Sequence, residues 1–177
     1  MGEKMRLDKL LSNMGKGSRN DMRNALKYGW VKVNGETVRT GKIKVDTHED
    51  EVLYQGERIL YEKFTYLMLH KPANVVSATE DARHKTVIDL LEPPYCNMSL
   101  FPVGRLDIDT EGLLLLTNDG DLAHDLLSPK KHVPKVYFSK VVGTVVDKDI
   151  AAFEKGVVLD DGYTCKPAVL KIIESHE

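Results

Sequence analysis

Apolar residues in the first third of the chain recur with two different periods, which predict two helices followed by a hairpin. In residues 6–14, RLDKLLSNM, the apolar positions fall three or four apart, as on the buried face of an amphipathic helix. Ser18 and Asp21 are spaced as in a capping box, and Gly29 is a typical residue to end a helix, so a second helix is predicted between them. The run VKVNGETV at 31–38 alternates with a period of two around Asn-Gly, which predicts a β-hairpin.

The rest of the chain alternates between strand-like and helix-like runs after a short connector at residues 57–63. The run at 64–72 is predicted to be a strand that a proline ends, and LLLLT at 113–117 is predicted to be a buried strand. The other predicted elements are an extended piece at 74–79, helices at 84–92 and 121–127, and strands at 135–145 and 166–170. The pattern predicts an α+β protein, in which a small helix-pair module precedes a mixed, largely antiparallel sheet.

Composition places the chain among globular proteins. The 177 residues are 42% apolar and 29% charged, which is enough apolar material for a buried core. No apolar run approaches the roughly 20 residues that a membrane span needs, and the start of the chain lacks the apolar stretch of a signal peptide. Cys96 and Cys165 stand alone, without the spacing of a zinc site or a disulfide framework. We therefore expect a cytoplasmic protein with reduced thiols and no membrane partner.

The formal net charge of −2 averages two unlike parts of the chain. Residues 1–45 carry eleven Lys or Arg and four Asp or Glu, a local net charge of +7, and the remainder carries a net charge of −9. Such asymmetry is typical of a basic module that binds a polyanion, although an unevenly charged surface alone could also produce it.

Residues 104–120, GRLDIDTEGLLLLTNDG, place carboxylates at positions 107, 109 and 111 beside an apolar run, and three explanations compete. A calcium loop would need a bidentate glutamate where this stretch has Asn118, and polar residues where the leucines stand. A pair of catalytic acids, as in a glycosidase, would be joined by an aromatic platform for the sugar, and none follows. The third explanation, one carboxylate held in a loop at the mouth of a buried strand, fits the pattern best.

The basic front end, with two small helices and a hairpin, resembles the S4 RNA-binding domain over about residues 5–52. The resemblance implies docking onto structured RNA through shape and phosphate contacts, because side chains cannot read the deep groove of A-form RNA. Arg19, Arg23 and Lys27 recur on one helical face, where bound phosphates would relieve their mutual repulsion. The predicted RNA contacts are Arg6, Lys9, Lys16, Arg19, Arg23 and Lys27.

The second part of the chain resembles the RsuA-type pseudouridine synthases. The likeness rests on the 104–120 motif, and it extends through HKP at 70–72, SPKKHVPKVY at 128–137 and KPAVL at 166–170. Members of this family isomerise a uridine in RNA by detaching the base from C1′ and rejoining it through C5. The resemblance implies that no metal or cofactor takes part, and the KPAVL ending looks most like the enzymes that act on small-subunit 16S ribosomal RNA.

The same resemblance implies roles for individual residues. Asp107 corresponds to the family's essential aspartate, whose carboxylate can attack as a nucleophile or stabilise positive charge on the ribose. Arg105 is expected to pair with Asp107 or with an RNA phosphate, unless it is only a structural surface residue. Tyr137 corresponds to the family's tyrosine, which would stack on the flipped-out base, whereas a tyrosine in an ordinary strand would pack into the core. Asn74 stands where the family usually has glycine, and asparagine tolerates a positive φ.

The end of the chain departs from the family pattern. Members continue past KPAVL into a segment with a basic residue that completes the active site, and nothing in KIIESHE matches it. We therefore expect an S4-like domain at 1–58 and a C-terminally shortened synthase domain at 62–177, which binds RNA and turns over slowly. The alternative is a non-catalytic RNA-binding or ribosome-assembly module. The expected partner is ribosomal RNA or a small-subunit assembly intermediate, and the chain is expected to be a monomer.

Overall fold

The computed structural model describes residues 2–174, and the chain divides into two compact units, Met1–Val133 and Pro134–Glu177. The strands are β1 (Lys4–Arg6), β2 (Val31–Val33), β3 (Glu36–Thr37), β4 (Lys44–Asp46), β5 (Val52–Tyr54), β6 (Glu57–Arg58), β7 (Tyr66–Lys71), β8 (Phe101–Pro102) and β9 (Gly112–Thr117). The α-helices are α1 (Leu7–Asn13), α2 (Arg19–Lys27), α3 (Gly120–Leu127) and α4 (Asp147–Lys155). Across these residues, no helix is both long and apolar enough to cross a membrane.

The predicted helix pair forms the first module together with an antiparallel sheet of strand order β3-β2-β5-β6, and β1 pairs separately with β4. The apolar faces of both helices are buried, and Leu7, Leu11 and Leu26 have no exposed area. Ser18 and Asp21 form the predicted capping box. The Ser18 hydroxyl accepts from the Asp21 N–H at 3.2 Å, and the Asp21 carboxylate accepts from the Ser18 N–H at 2.9 Å.

The predicted hairpin is confirmed as well. Asn34 and Gly35 have φ values of 51° and 83°, and the tightest hairpin turns need a positive φ at both central positions. The Asn34 side chain fixes the turn, because its amide nitrogen donates to Asp50 at 2.8 Å and its oxygen accepts from the Glu51 N–H at 2.9 Å.

Residues 57 and 58, predicted to be part of a connector, instead form β6 beside β5. Gln55 and Gly56 have φ values of 51° and 88°, so they make a second tight turn that folds the chain back onto the sheet. Gln55 gave little signal of this turn, because Gln is an uncommon residue at positive φ.

The first module contacts the second part of the same compact unit through the turn after α1. Gly15 has a φ of 69° and lies so close to Pro94 that an added Cβ would clash with the proline carbonyl oxygen. Asn97 Nδ2 donates to the Gly15 carbonyl oxygen at 3.1 Å. Glycine is therefore required at position 15 both for its conformation and for the close approach of the two backbones.

The second sheet has the strand order β7-β9-β8, and all of its strands are antiparallel. β9 is the central strand, which confirms a strand at LLLLT. Its burial alternates, however: Leu114 and Leu116 lie in the core, whereas Leu113 is 71% exposed. The prediction of a buried strand therefore holds for one face only, because the other face of this sheet is uncovered within Met1–Val133. In the register, Lys71 at the end of β7 lies opposite Gly112 at the start of β9.

The helix predicted at 84–92 is reduced to a single 3₁₀ turn at Ile88–Leu90. The residues before it are extended instead, since Val76 and Thr86 form a parallel β-bridge. The Asp89 carboxylate accepts from the Thr86 N–H at 2.8 Å and holds the start of the turn. With the bridge on one side and two prolines on the other, too few residues remain to continue a helix.

The strands predicted at 135–145 and 166–170 are absent from Pro134–Glu177 as far as residue 174. In that part of the chain the β-pairing consists of one isolated bridge, Val158 with Thr164. Alternating apolar residues form a strand only where a neighbour pairs with the backbone, and sequence alternation does not supply that neighbour. The unit contains α4, and the Ala168 N–H donates to the Phe153 carbonyl at the end of that helix at 2.9 Å.

Candidate active site and RNA-binding surface

The 104–112 loop connects β8 to β9 and carries the acidic motif. Two glycines bound it, and both have a positive φ: 93° at Gly104 and 140° at Gly112. Such values are accessible to glycine and rare for other residues, so the chain can turn sharply at each end of the loop. The loop lies at the edge of the sheet where β7 ends and β9 begins.

The side chain of Lys71 holds this loop in place through hydrogen bonds. Its side chain is fully buried, and its ammonium group contacts backbone carbonyl oxygens instead of a carboxylate. The Nζ atom donates to the oxygens of Asp107 at 2.9 Å, Thr110 at 2.8 Å, Ile108 at 3.3 Å and Pro72 at 3.1 Å. A buried charge is tolerated when hydrogen bonds surround it, and here the carbonyl dipoles of the loop serve that purpose.

Two further contacts fix the loop. The Ser77 hydroxyl donates to the Leu106 carbonyl at 2.9 Å and accepts from the Leu106 N–H at 3.1 Å. The Asn74 N–H donates to the Ile108 carbonyl at 2.7 Å. Asn74 has a φ of 65°, which confirms that asparagine can take the positive φ expected at this position.

The result is a loop with a fixed backbone and an exposed Asp107 side chain. The Asp107 carbonyl oxygen also accepts from the Thr110 N–H at 3.1 Å, which closes a tight turn around the residue. A carboxylate presented in this way can approach a ribose without displacing a protein partner. A loop held by buried hydrogen bonds also keeps the geometry that a reaction needs.

Arg105 is exposed, and among residues 2–174 it forms no ion pair with Asp107 or with another carboxylate. The predicted pairing of Arg105 with Asp107 is therefore absent, and both side chains are exposed. Tyr137 lies in the other compact unit, outside any strand, with 68% of its side chain exposed.

Asp119 is the N-terminal capping residue of α3. Its carboxylate accepts from the Leu122 N–H at 3.1 Å at the start of α3, and the Tyr66 hydroxyl donates to it at 2.7 Å. These hydrogen bonds, first that from Leu122 and then that from Tyr66, hold the pKa of Asp119 below its usual range. Within residues 2–174, no group of three or more His, Cys, Asp or Glu could hold a metal ion.

The first module contains a basic groove, defined here by Arg6, Arg23, Lys27, Arg39 and Lys42. The fold brings together three of the predicted RNA contacts, from β1 and α2, with two cations of the loop after β3. Gly41 in that loop is buried, and an added Cβ would stand 2.6 Å from the Asp8 Cβ. The absence of a side chain at Gly41 thus allows the loop to pack against α1.

Asp8 is the acidic residue on the floor of the basic groove, and its side chain is only 2% exposed. It accepts two hydrogen bonds from the Arg6 guanidinium, at 2.6 and 3.0 Å, and Arg23 lies 3.9 Å away. The bonds from Arg6 hold the pKa of Asp8 below its ordinary value of 3.8, against the opposing effect of burial. Asp8 thereby orients two cations while leaving the groove a net positive charge.

The other predicted contacts lie outside the basic groove. Lys9 and Arg19 are exposed on α1 and α2. Lys16 is 3.5 Å from the Glu57 carboxylate, and its ammonium group stands 5.9 Å from the centre of the Tyr54 ring. Arg39 and Lys42 were missed as site residues, although they counted toward the basic charge, because only the tertiary fold places their loop beside α2.

Charge reversal in the basic groove should weaken RNA binding. Lys27→Glu together with Lys42→Glu removes two exposed cations that have no role in the core, and we expect affinity to fall at least about tenfold at low salt. The salt dependence should flatten as well, by roughly 0.7–0.9 in the logarithmic slope for each lost phosphate contact. Filter binding across a salt series measures both quantities. The matched control is Lys148→Glu with Lys155→Glu on α4, and equal losses in both variants would contradict a specific role for the groove.

Asp8→Asn should lower stability in a pH-dependent way. Because the folded pKa of Asp8 lies below its unfolded value, its carboxylate stabilises the fold above the unfolded pKa, and this contribution is lost as pH falls through the folded pKa. Urea unfolding at neutral pH should therefore show the variant to be less stable than the unmodified chain, and the difference should vanish in strong acid. A difference that persists unchanged in acid would mean that the effect of the substitution is steric.

Comparison with known proteins gives the same division into two parts. Residues 65–176 match the RNA pseudouridylate synthase family, and residues 5–52 match the S4 domain. An uncharacterized RNA pseudouridine synthase of Bacillus subtilis is 51% identical over 168 residues, which cover 95% of this chain and 70% of that protein. A crystal structure of a pseudouridylate synthase superposes with a TM-score of 0.54 at 31% identity, over 96% of this chain and 73% of the other.

The relatives include enzymes named for the large ribosomal subunit and enzymes named for the small one. Ribosomal large subunit pseudouridine synthase B of Bacillus subtilis is 38% identical, over 95% of this chain and 68% of that protein. Ribosomal small subunit pseudouridine synthase A of Haemophilus influenzae is 34% identical, over 97% of this chain and 74% of that protein. The chain therefore belongs to the RNA pseudouridine synthases, the isomerases that convert uridine to pseudouridine in RNA. It combines an S4 domain with the α+β fold of that family.

The sequence did not reveal how the active-site loop is supported. Lys71 was noted as part of HKP, but a lysine at the end of a strand is ordinarily expected to reach solvent. Its position directly before a proline marks only the end of a strand and gives no sign of burial. Ser77 gave no signal, since its partner in the loop is 29 residues away.

Proposed function

We propose that Asp107 is the catalytic residue of this synthase. In the reaction the N1–C1′ bond breaks, a C5–C1′ bond forms, the C5 hydrogen leaves as a proton, and N1 gains a proton. An ionised carboxylate at C1′ can assist either by direct attack or by stabilising the positive charge that develops on the ribose. The observation that carries the proposal is the exposed Asp107 side chain on a backbone that buried Lys71 holds through the carbonyl oxygens of residues 107, 108 and 110.

The proposed substrate is a uridine of small-subunit ribosomal RNA. Support comes from the KPAVL ending, which resembles the small-subunit enzymes, and from the match to the small-subunit synthase of Haemophilus influenzae over 97% of the chain. Large-subunit RNA is the second candidate, favoured by the higher identity, 38%, to the large-subunit synthase of Bacillus subtilis.

The proposed domain division is 1–58 for the S4 domain and 62–177 for the synthase domain, in a monomeric protein. The basic groove is the proposed docking surface for RNA phosphates, with Arg6, Arg23 and Lys27 as contacts and with Lys9, Lys16 and Arg19 as additional contacts outside the groove. Arg105 is proposed to contact a phosphate of the target strand, since its exposed guanidinium is not engaged by Asp107. Tyr137 is proposed to stack on the flipped base.

Tritium release distinguishes the two RNA substrates. Uridine labelled at C5 loses its label to water when C5 bonds to C1′, so release reports the reaction directly. Small-subunit and large-subunit RNA, each transcribed with the label and offered at equal concentration, should give release from the small-subunit RNA alone. Release from only the large-subunit RNA would overturn the proposed substrate while leaving the chemistry intact. Release from neither RNA, with tight binding to both, would favour the non-catalytic alternative.

A further inference from the structure

Tyr28 and Trp30 form a stacked aromatic pair on the surface of the first module. Their ring centroids are 5.4 Å apart with an interplanar angle of 29°, and their side chains are 71% and 47% exposed. Single exposed aromatic residues are common on protein surfaces, but here two rings lie against each other and both keep a large exposed area. Neither residue belongs to the apolar core of the module, which the neighbouring Val31 enters.

The aromatic pair is held by a rigid scaffold. The Tyr28 N–H donates to the Asn24 carbonyl at 3.0 Å, which fixes Tyr28 to the end of α2. The Trp30 N–H donates to the Ala25 carbonyl at 3.1 Å, and the Trp30 carbonyl accepts from the Gln55 N–H at 2.8 Å. Both rings therefore project from backbone whose position is set before any ligand binds, which lowers the entropic cost of binding.

Cations of the basic groove adjoin the aromatic pair. Arg39 Nη1 donates to the Lys27 carbonyl at 2.8 Å, next to Tyr28 in the chain. The Arg39 guanidinium also lies beside Gly29, the residue between the two aromatic residues, since an added Cβ there would be 3.8 Å from Nη2. The positive charge of the groove thus extends to the backbone between the two aromatic residues.

Aromatic faces beside cations match the chemistry of one unpaired nucleotide. A nucleobase stacks on an aromatic ring, and the phosphate next to it is neutralised by a nearby cation. The bases inside an RNA duplex cannot use such a surface, because both of their faces are already stacked on neighbouring bases. We propose that Tyr28 and Trp30 form a stacking site for an unpaired base of the bound RNA, and that Arg39 and Lys27 hold the adjoining phosphate.

This inference rests on the proposed function of the basic groove as an RNA-docking surface. The inference adds that the first module prefers RNA with an unpaired base. That base would lie at the end of α2 when the RNA phosphates occupy the basic groove. The basic groove alone would show no preference for an unpaired base, because phosphate contacts do not touch the bases.

The fluorescence of Trp30 provides a direct test, because it is the single tryptophan of the chain. The chain is titrated with an RNA hairpin that contains an unpaired loop and, separately, with a blunt RNA duplex of equal length. Stacking should quench the Trp30 emission saturably with the hairpin and much less with the duplex at equal occupancy. Equal emission changes with both RNAs, or none with the hairpin, would overturn the proposal.

Affinity measurements complete the test. Tyr28→Ala with Trp30→Ala should bind the hairpin about tenfold more weakly and the duplex as tightly as the unmodified chain. Tyr28→Phe with Trp30→Phe keeps the stacking surfaces and should retain full affinity for the hairpin. Unchanged duplex affinity of the alanine variant shows that this variant is folded. Wild-type hairpin affinity in the alanine variant would refute the stacking site. The proposed function can still hold if the stacking site is refuted. In that case Lys27→Glu with Lys42→Glu would still weaken RNA binding, and the unmodified chain would still release tritium.

Discussion

Asp107→Asn should reduce the rate of uridine isomerisation by at least about 10⁴-fold, since losing a catalytic group of this kind typically costs that much or more. Asparagine has nearly the same shape as aspartate but lacks the negative charge that either catalytic role requires. The Asp107 side chain is exposed, and the loop is held by its backbone, so folding should be unchanged. Single-turnover tritium release gives the rate, and filter binding shows whether RNA affinity persists.

Asp109→Asn is the matched control for this prediction. Asp109 lies two residues away in the same loop, is also exposed, and undergoes the same chemical change. We expect its rate to fall less than about tenfold, a loss of up to 1.4 kcal/mol in transition-state stabilisation. Equal losses from the two substitutions would mean that the loop works through a pair of carboxylates rather than through one.

Lys71→Met should destabilise the protein and slow the reaction together. Methionine approximates the length of lysine but leaves the carbonyl oxygens of Asp107 and Thr110 without their buried donor. Each hydrogen bond to a charged group contributes about 1.5–3 kcal/mol, so we expect the free energy of unfolding to fall by about 3 kcal/mol. A displacement of the loop by about 1 Å would lower the rate by about a hundredfold.

Urea unfolding and single-turnover tritium release measure the two effects of Lys71→Met, with Lys130→Met as a control at an exposed lysine. The affinity of Lys71→Met for RNA should equal that of the unmodified chain, because the basic groove lies in the first module. A variant that loses stability but keeps the full rate would show that Lys71 supports the fold without positioning Asp107. Full rate and full stability would mean that the buried ammonium group contributes nothing.

Local signals in the sequence predicted most of the first module. The apolar spacing of α1, the capping box at Ser18 and the turn at Asn34-Gly35 depend on residues within a few positions of one another, and the structure has all of them. The same holds for the positive φ of Asn74. Such features can be read from sequence because the interacting groups are neighbours in the chain.

Features that depend on distant partners were predicted poorly. A helix was expected at 84–92, but Thr86 bridges to Val76 instead, and strands were expected at 135–145 and 166–170, where the described chain supplies no pairing neighbour. The role of Lys71 depends on a loop 36 residues away, and the position of Arg39 beside Lys27 depends on the packing of the first module. Burial of a lysine among carbonyl oxygens has no local pattern, so only the fold reveals it.

The role of Asp107 is tested most directly by the product itself. Small-subunit RNA is incubated with saturating amounts of the unmodified chain or of Asp107→Asn, digested to nucleosides and separated by chromatography. The unmodified chain should produce pseudouridine at the expense of uridine, and Asp107→Asn should produce none while binding the RNA equally well. Equal amounts of pseudouridine from the two proteins would contradict the assignment of the reaction to Asp107.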